Sequence, residues 1–134
     1  MLLFNAGLHD IKRNKITHQI QLSLIDYEKN LKEMIEVAKS ISVVPLRVTT
    51  TWHDEKHHNS TNTLTDRYEK DNQEYHNKAV EIMEIHNIPI IDIRSFTQDL
   101  SGNIWSDRVH FTKRVCYKQA EYILNDLTTK NYHL

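Results

Sequence analysis

Short apolar runs alternate with amphipathic stretches along this chain, and only Gly7, Gly102, Pro45 and Pro89 punctuate it. Leu2 to Ala6 reads as a short buried strand ended by Gly7, with a turn at His9-Asp10. Between about residues 18 and 41, Leu24, Tyr27, Leu31, Ile35 and Ala38 recur at steps of three and four while Glu28, Lys32, Glu33, Glu36 and Lys39 take the other side, which predicts an amphipathic helix. Val43 to Thr49 is a β-branched strand, although Pro45 lacks the N–H that a central strand uses. Trp52 to Asn62 is polar, rich in His and aperiodic, and reads as a long loop. Tyr68, Tyr75, Ala79, Ile82 and Met83 mark a second helix over about 64–86, and Ile88 to Ile93 a third strand. A last helix over about 112–127 is expected to bury Cys116, Ala120, Ile123, Leu124 and Leu127.

Strand and helix therefore alternate three times, which implies parallel strands joined by right-handed crossovers under a cover of helices, an α/β fold. In such sheets, sites form where the carboxyl ends of strands feed into loops. His9 and Asp10 follow the first strand, Thr49 to His58 the second, and Asp107 with His110 lie beyond the third.

Composition narrows the class. With 134 residues, 39% of them hydrophobic, 26% charged, and a net charge of -1, the chain fits one globular domain spanning residues 1–134. Seventeen basic against 18 acidic residues leave no electrostatic footprint for nucleic acid. The longest apolar runs are about five residues, against roughly 20 for a membrane span. Met1-Leu2-Leu3-Phe4 passes straight into polar sequence and lacks the form of a signal peptide, which leaves localisation undetermined. Cys116 is the single cysteine, cannot form an internal disulfide, and reads as a small core residue rather than a catalytic thiol.

The most informative chemistry is Ser106-Asp107-Arg108-Val109-His110-Phe111-Thr112. One tight turn can bring the Asp107 carboxylate onto a ring nitrogen of His110, fixing its tautomer and stabilising the imidazolium that forms when the other nitrogen takes a proton. His53, Asp54, His57 and His58 offer side chains that suit a divalent metal, with His53 and His57 the weak candidates; a polar loop is the favoured reading, since no helical His-Glu-x-x-His context supports zinc. Thr50 and Trp52 are candidates for the substrate edge, and Trp52 and Trp105 each fit either packing or substrate contact. His18, His76, His86 and His133 carry no assigned role.

Asn5-Ala6-Gly7-Leu8-His9-Asp10 and Asp107-Arg108-Val109-His110-Phe111-Thr112 resemble the third and fifth sequence blocks of the SGNH (GDSL-like) hydrolase superfamily. The stretches Tyr27-Glu28-Lys29-Asn30-Leu31, Thr49-Thr50-Thr51, Tyr75-His76-Asn77-Lys78-Ala79 and Ile91-Asp92-Ile93 are also similar, so the resemblance runs through nearly the whole chain. It implies a flavodoxin-like three-layer α/β/α fold, here incomplete with about three strands and three main helices, and an esterase or lipase that needs no cofactor and acts on a small ester or acylated carbohydrate. It also implies that Asp107 orients His110 and that His110 serves as general base and then acid. The third block, Gly-x-Asn-Asp in the family, reads Gly7-Leu8-His9-Asp10 here; His9 takes the place of the Asn, and Asn5 stands two residues before the Gly. Either could donate to an oxyanion, an interaction worth about 3 kcal/mol.

The departure is at the front. The family's nucleophilic Ser lies in a Gly-Asp-Ser block that has no counterpart here, and Ser23, Ser40, Ser42, Ser60, Ser95, Ser101 and Ser106 include none in a sharp Gly-containing turn after a strand. Ser106 reads as a solvated loop residue. The expectation is the carboxyl-terminal part of a serine esterase, carrying Asp and His without the Ser. The alternatives are a non-catalytic remnant or binding module, and metal-assisted hydrolysis through the His53 to His58 segment. An unpaired edge on the first strand would favour self-association.

Overall fold

The computed structural model describes residues 1–130 and 132; His133 lies outside them. A parallel sheet forms from β1 (Leu2–Phe4), β3 (Pro45–Val48) and β5 (Ile90–Ile91) in the order β1-β3-β5, with Leu3 opposite Leu46 and Val48 opposite Ile91. Between β1 and β3 runs α1 (Leu24–Ser40), and between β3 and β5 runs α3 (Glu69–Ile85). These helices bury Tyr27, Leu31, Ile35, Tyr75, Ala79, Ile82 and Met83 together, with Phe4 and Ile90 packed against them from the sheet. Side chains alternate along a strand, so Leu46 and Ile91, both fully buried, face the other layer. That layer is built from α4 (Ile93–Gln98) and α5 (Lys113–Thr129), which contribute the buried Ile93 and Val115. The chain is thus an α/β fold on a three-stranded parallel sheet.

Three expectations need correction. The stretch 52–62 is not a loop: Asp54 accepts a hydrogen bond from the His57 N–H and caps α2 (Glu55–Thr61). The helix expected from residue 64 begins at Glu69, because Thr65–Asp66 form β4, which pairs antiparallel with β2 (Arg13–Asn14). The third strand shortens to two residues because the Asp92 side chain caps the Ser95 N–H and starts α4.

The buried stripe of α5 also differs from its apolar pattern. Val115 is buried, Gln119 donates to Thr97 Oγ1 at 2.9 Å, and the Tyr122 ring stacks on Phe96 with centroids 4.3 Å apart. Residues 115, 119, 122 and 126 lie on one helical stripe, and seating that stripe on α4 turns Cys116, Ala120 and Leu124 to solvent. Cys116 is therefore exposed and is not a core residue.

Two features position the site. Among the described residues β1 pairs only with β3, and an apolar groove lined by Leu2, Met34, Val37, Ile41 and Val43 runs beside it. The carboxyl end of β3 is held from three sides. Arg94 Nη1 donates to Thr50 O at 3.1 Å, Asn72 Nδ2 to Thr51 O at 3.1 Å, and Thr49 Oγ1 to Asp92 Oδ1 at 3.0 Å. No helix among the described residues is long and apolar enough to cross a membrane.

Candidate active site

The residues picked out by sequence converge on the carboxyl edge of the sheet, in unequal roles. Asp107 opens a tight turn in which its Oδ1 accepts from the backbone N–H groups of Val109 and His110, each at 2.8 Å. The turn leaves Oδ2 at 2.7 Å from His110 Nδ1. The imidazole thus carries its proton on Nδ1 when neutral and presents Nε2 as the free base. Three donors, the Val109 N–H first, then the His110 ring and the His110 N–H, hold the Asp107 carboxyl well below the usual carboxylate range.

The turn is locked from outside. The Ser106 N–H donates to His110 O at 2.9 Å and Thr112 N–H to Ile104 O at 2.9 Å, while Asp54 N–H donates to Arg108 O at 3.1 Å. The Trp105 ring stacks on Phe111 at 4.7 Å, and Trp52 meets both edge-on at 6.1 Å. Trp52 therefore packs the 105–111 loop onto the end of β3. The Ser106 hydroxyl is spent on His110 O, at 3.1 Å, and His110 Nε2 has no hydrogen-bonded partner among the described residues. Both side chains remain accessible, with His110 76% and Asp107 51% exposed.

The block after β1 divides in two. Asn5 Nδ2 donates to both Val48 O and Thr49 O, each at 3.0 Å, so both its amide protons are committed to β3. Gly7 has φ +134°, and a Cβ there would meet Thr50 Oγ1 at 3.3 Å; only glycine suits both the backbone and the space. Its carbonyl accepts from the N–H groups of Asp10 and Ile11, which turns the chain and leaves His9 exposed. Lys12, then burial, then Arg67 push the His9 imidazole below its ordinary pKa. Thr50 is buried and its hydroxyl donates to Ala6 O at 2.6 Å, which places it in the scaffold beneath the edge rather than on it.

The imidazoles of the 53–58 segment have different surroundings. His53 is buried with Nε2 at 3.2 Å from Arg67 O, and His57 is exposed on α2. Among the described residues no group of three or more His, Cys, Asp or Glu converges as metal ligands would. Instead His58, fully buried, receives Arg67 Nη1 on Nε2 at 2.5 Å and sits with Nδ1 at 2.9 Å from Asn59 Oδ1. Sequence reasoning missed Arg67 and Arg94, both buried cations that brace this edge. Their one signal was a charged side chain beside an apolar step in a predicted helix or strand, which is common on any surface.

No family model matches the sequence, and no curated protein matches it. Solved structures do match. A lipase/acylhydrolase from Enterococcus faecalis superposes with TM-score 0.74 at 18% identity over 98% of this chain. The fold is that of the GDSL-like lipases and acylhydrolases. A GDSL-like lipase from Bacteroides thetaiotaomicron agrees over 92% of the chain with TM-score 0.66 and 16% identity. A mutant of an acetyl-xylooligosaccharide esterase from Geobacillus agrees over 96% with TM-score 0.68 and 17% identity. The chain spans 64%, 59% and 59% of those three structures. In this fold β1 and β3 lead to Gly7 and Thr50, and the loop between α4 and α5 carries the Asp107-His110 turn against Trp52 beyond β3.

Proposed function

We propose that this chain is the Asp-His part of a serine carboxylic ester hydrolase of the SGNH type, with the nucleophilic Ser supplied by a segment outside it. The observation that supports this most directly is the 2.7 Å contact between Asp107 Oδ2 and His110 Nδ1, which leaves Nε2 accessible for a hydroxyl. In the reaction, His110 Nε2 removes the proton of the Ser as it attacks the ester carbonyl, then returns it to the leaving alcohol; water repeats the cycle on the acyl-enzyme. Asp107 stabilises the imidazolium in both halves. The oxyanion donor on this chain is His9, since Asn5 has no amide proton to spare. Its lowered pKa keeps it a neutral N–H donor beside Lys12 and Arg67.

Substrates are small esters, acylated carbohydrate among them; the Geobacillus neighbour is named as an acetyl-xylooligosaccharide esterase. The unpaired side of β1 is the seat of the Ser-bearing strand, and in its absence of self-association between copies.

A chimera tests the reading. The part of the Enterococcus structure that this chain does not span is joined ahead of Met1, and hydrolysis of p-nitrophenyl acetate is measured with and without His110→Ala. Hydrolysis that His110→Ala abolishes supports the proposal; a folded chimera with no esterase activity overturns it. On its own the chain is expected to resist a fluorophosphonate, and labelling at Ser106 would contradict the assignment. The second reading, a non-catalytic module, rests on the lack of any hydroxyl partner for His110 Nε2 among the described residues.

A further inference from the structure

A cavity of about 330 Å³ lies beside the Asp107-His110 turn, lined in part by Lys12, His58, Asn62, Arg67, Arg108 and Val109. Its charge is one-sided. No carboxylate lines it, and none of Lys12, Arg67 and Arg108 makes an ion pair among the described residues. Of the acids adjacent to these cations in sequence, Asp66 is taken by Lys15 at 3.1 Å and Asp107 by the His110 ring at 2.7 Å. Such a grouping is unusual in a chain whose acidic residues outnumber its basic ones.

Arg67 is the most deeply buried of the three cations. It is 6% exposed, so its guanidinium has lost most of its hydration without gaining a counter-ion. Nε donates to Leu8 O at 2.8 Å and Nη1 to His58 Nε2 at 2.5 Å, but Nη2 has no hydrogen-bond partner among the described residues. Burial and the neighbouring Arg108 charge both depress its pKa, the direction expected of a cation that an anion would relieve. A guanidinium fixed at two of its nitrogens and flanked by a second guanidinium and an ammonium matches the geometry by which proteins take planar or tetrahedral oxyanions.

We propose that this cavity binds an oxyanion group, carboxylate or phosphate, carried by the ester substrate. Arg108 and Val109 lie within the turn that holds His110, and His9 feels the charges of Lys12 and Arg67, so an anion seated here brings its ester to the proposed oxyanion donor and base. The preferred substrates are then acidic esters, such as an acylated uronic acid or an acylated sugar phosphate, with simple neutral esters turned over less efficiently. The assignment to a substrate rests on the esterase reading; the binding of an anion does not.

The test is a titration of the chain, labelled with ¹⁵N, with sodium phosphate and separately with sodium glucuronate at constant ionic strength, following the Arg67 Nε–H and the amides of Arg108 and Val109. Saturable shifts with either anion support the site, and the anion that binds more tightly tells phosphate from carboxylate. Arg67→Gln would also unpin Leu8 and His58, so the informative variants are Lys12→Gln and Arg108→Gln, whose side chains hold little else. Each is expected to weaken binding about tenfold, as loss of one charge-assisted contact does. No shift at these positions, or binding unchanged in the doubly substituted chain, overturns the proposal. Because the readout needs no turnover, a chimera without activity that still binds phosphate would overturn only the esterase reading, and one that hydrolyses esters but binds neither anion only this one.

Discussion

Arg67 donates a hydrogen bond to Nε2 of His58, and this fixes a buried imidazole in its neutral state, because a protonated ring has no lone pair to offer. Burial lowers the pKa of His58 first, and burial likewise lowers that of His53, whose ring lies 5.8 Å away. For a base whose folded pKa is depressed, the unfolded chain binds more protons between the two values. Stability is then complete above the unfolded value of about 6.5 and falls as the pH drops below it. The thermal midpoint is expected to fall between about pH 8 and pH 5. His58→Gln, which keeps an acceptor for Arg67 and cannot titrate, should flatten that slope. A midpoint independent of pH in the parent chain would contradict a neutral His58.

The Asp107-His110 turn makes a spectroscopic prediction that needs no nucleophile. Long-range ¹H–¹⁵N spectra at alkaline pH should show His110 with its proton on Nδ1. Asp107→Ala removes both the ring's acceptor and the Oδ1 that holds the Val109 and His110 amides, and the proton is expected to move to Nε2. An Nε2–H tautomer in the parent chain would sink the proposed base. In the active chimera, Asp107→Asn should lower kcat by about 10⁴, the scale of losing the orienting carboxylate in a triad.

Gly7→Ala should cost about 2 kcal/mol in urea unfolding, from a backbone that disfavours any Cβ and from a tight approach to Thr50 Oγ1. A loss under about 0.5 kcal/mol would mean that β1 moves freely against β3, contrary to the hydrogen bonds of Asn5 and Thr50.

Much of the frame was legible because its residues repeat a simple pattern. The steps from Leu24 to Ala38 specify the buried side of α1, and Asp107 and His110 could be paired from spacing alone because a three-residue turn is local. What escaped depends on partners distant in sequence. His58 looks like loop polarity until Arg67 is placed against it, and the α2 helix rests on a cap at Asp54 followed by Glu55, a start signal without an apolar stripe behind it. β2 and β4 are two residues each, too short for any period. Cys116 misled because α5 seats a mixed polar stripe on α4, with Gln119 bonded to Thr97, in preference to its apolar one.

Arg94 predicts a loss that a second substitution softens. Its Nη2 meets Glu69 Oε1 at 2.5 Å while Nη1 holds Thr50 O and Asn72 Oδ1. Arg94→Met should cost about 2 kcal/mol, part of it from a half-buried Glu69 left without its cation. Glu69→Gln in the same chain is expected to recover some of that loss in equilibrium unfolding, and strict additivity of the two substitutions would show that the pair is not coupled.

Of the chain's two tryptophans, Trp105 stacks on Phe111 and Trp52 meets that pair edge-on, between the end of β3 and the loop that bears His110. Its tryptophan fluorescence, excited selectively over the six tyrosines, therefore has a single address. Lifting of that loop, by a ligand or by the first step of unfolding, will show as a change in emission wavelength, while rearrangements confined to α1 and α3 will be dark.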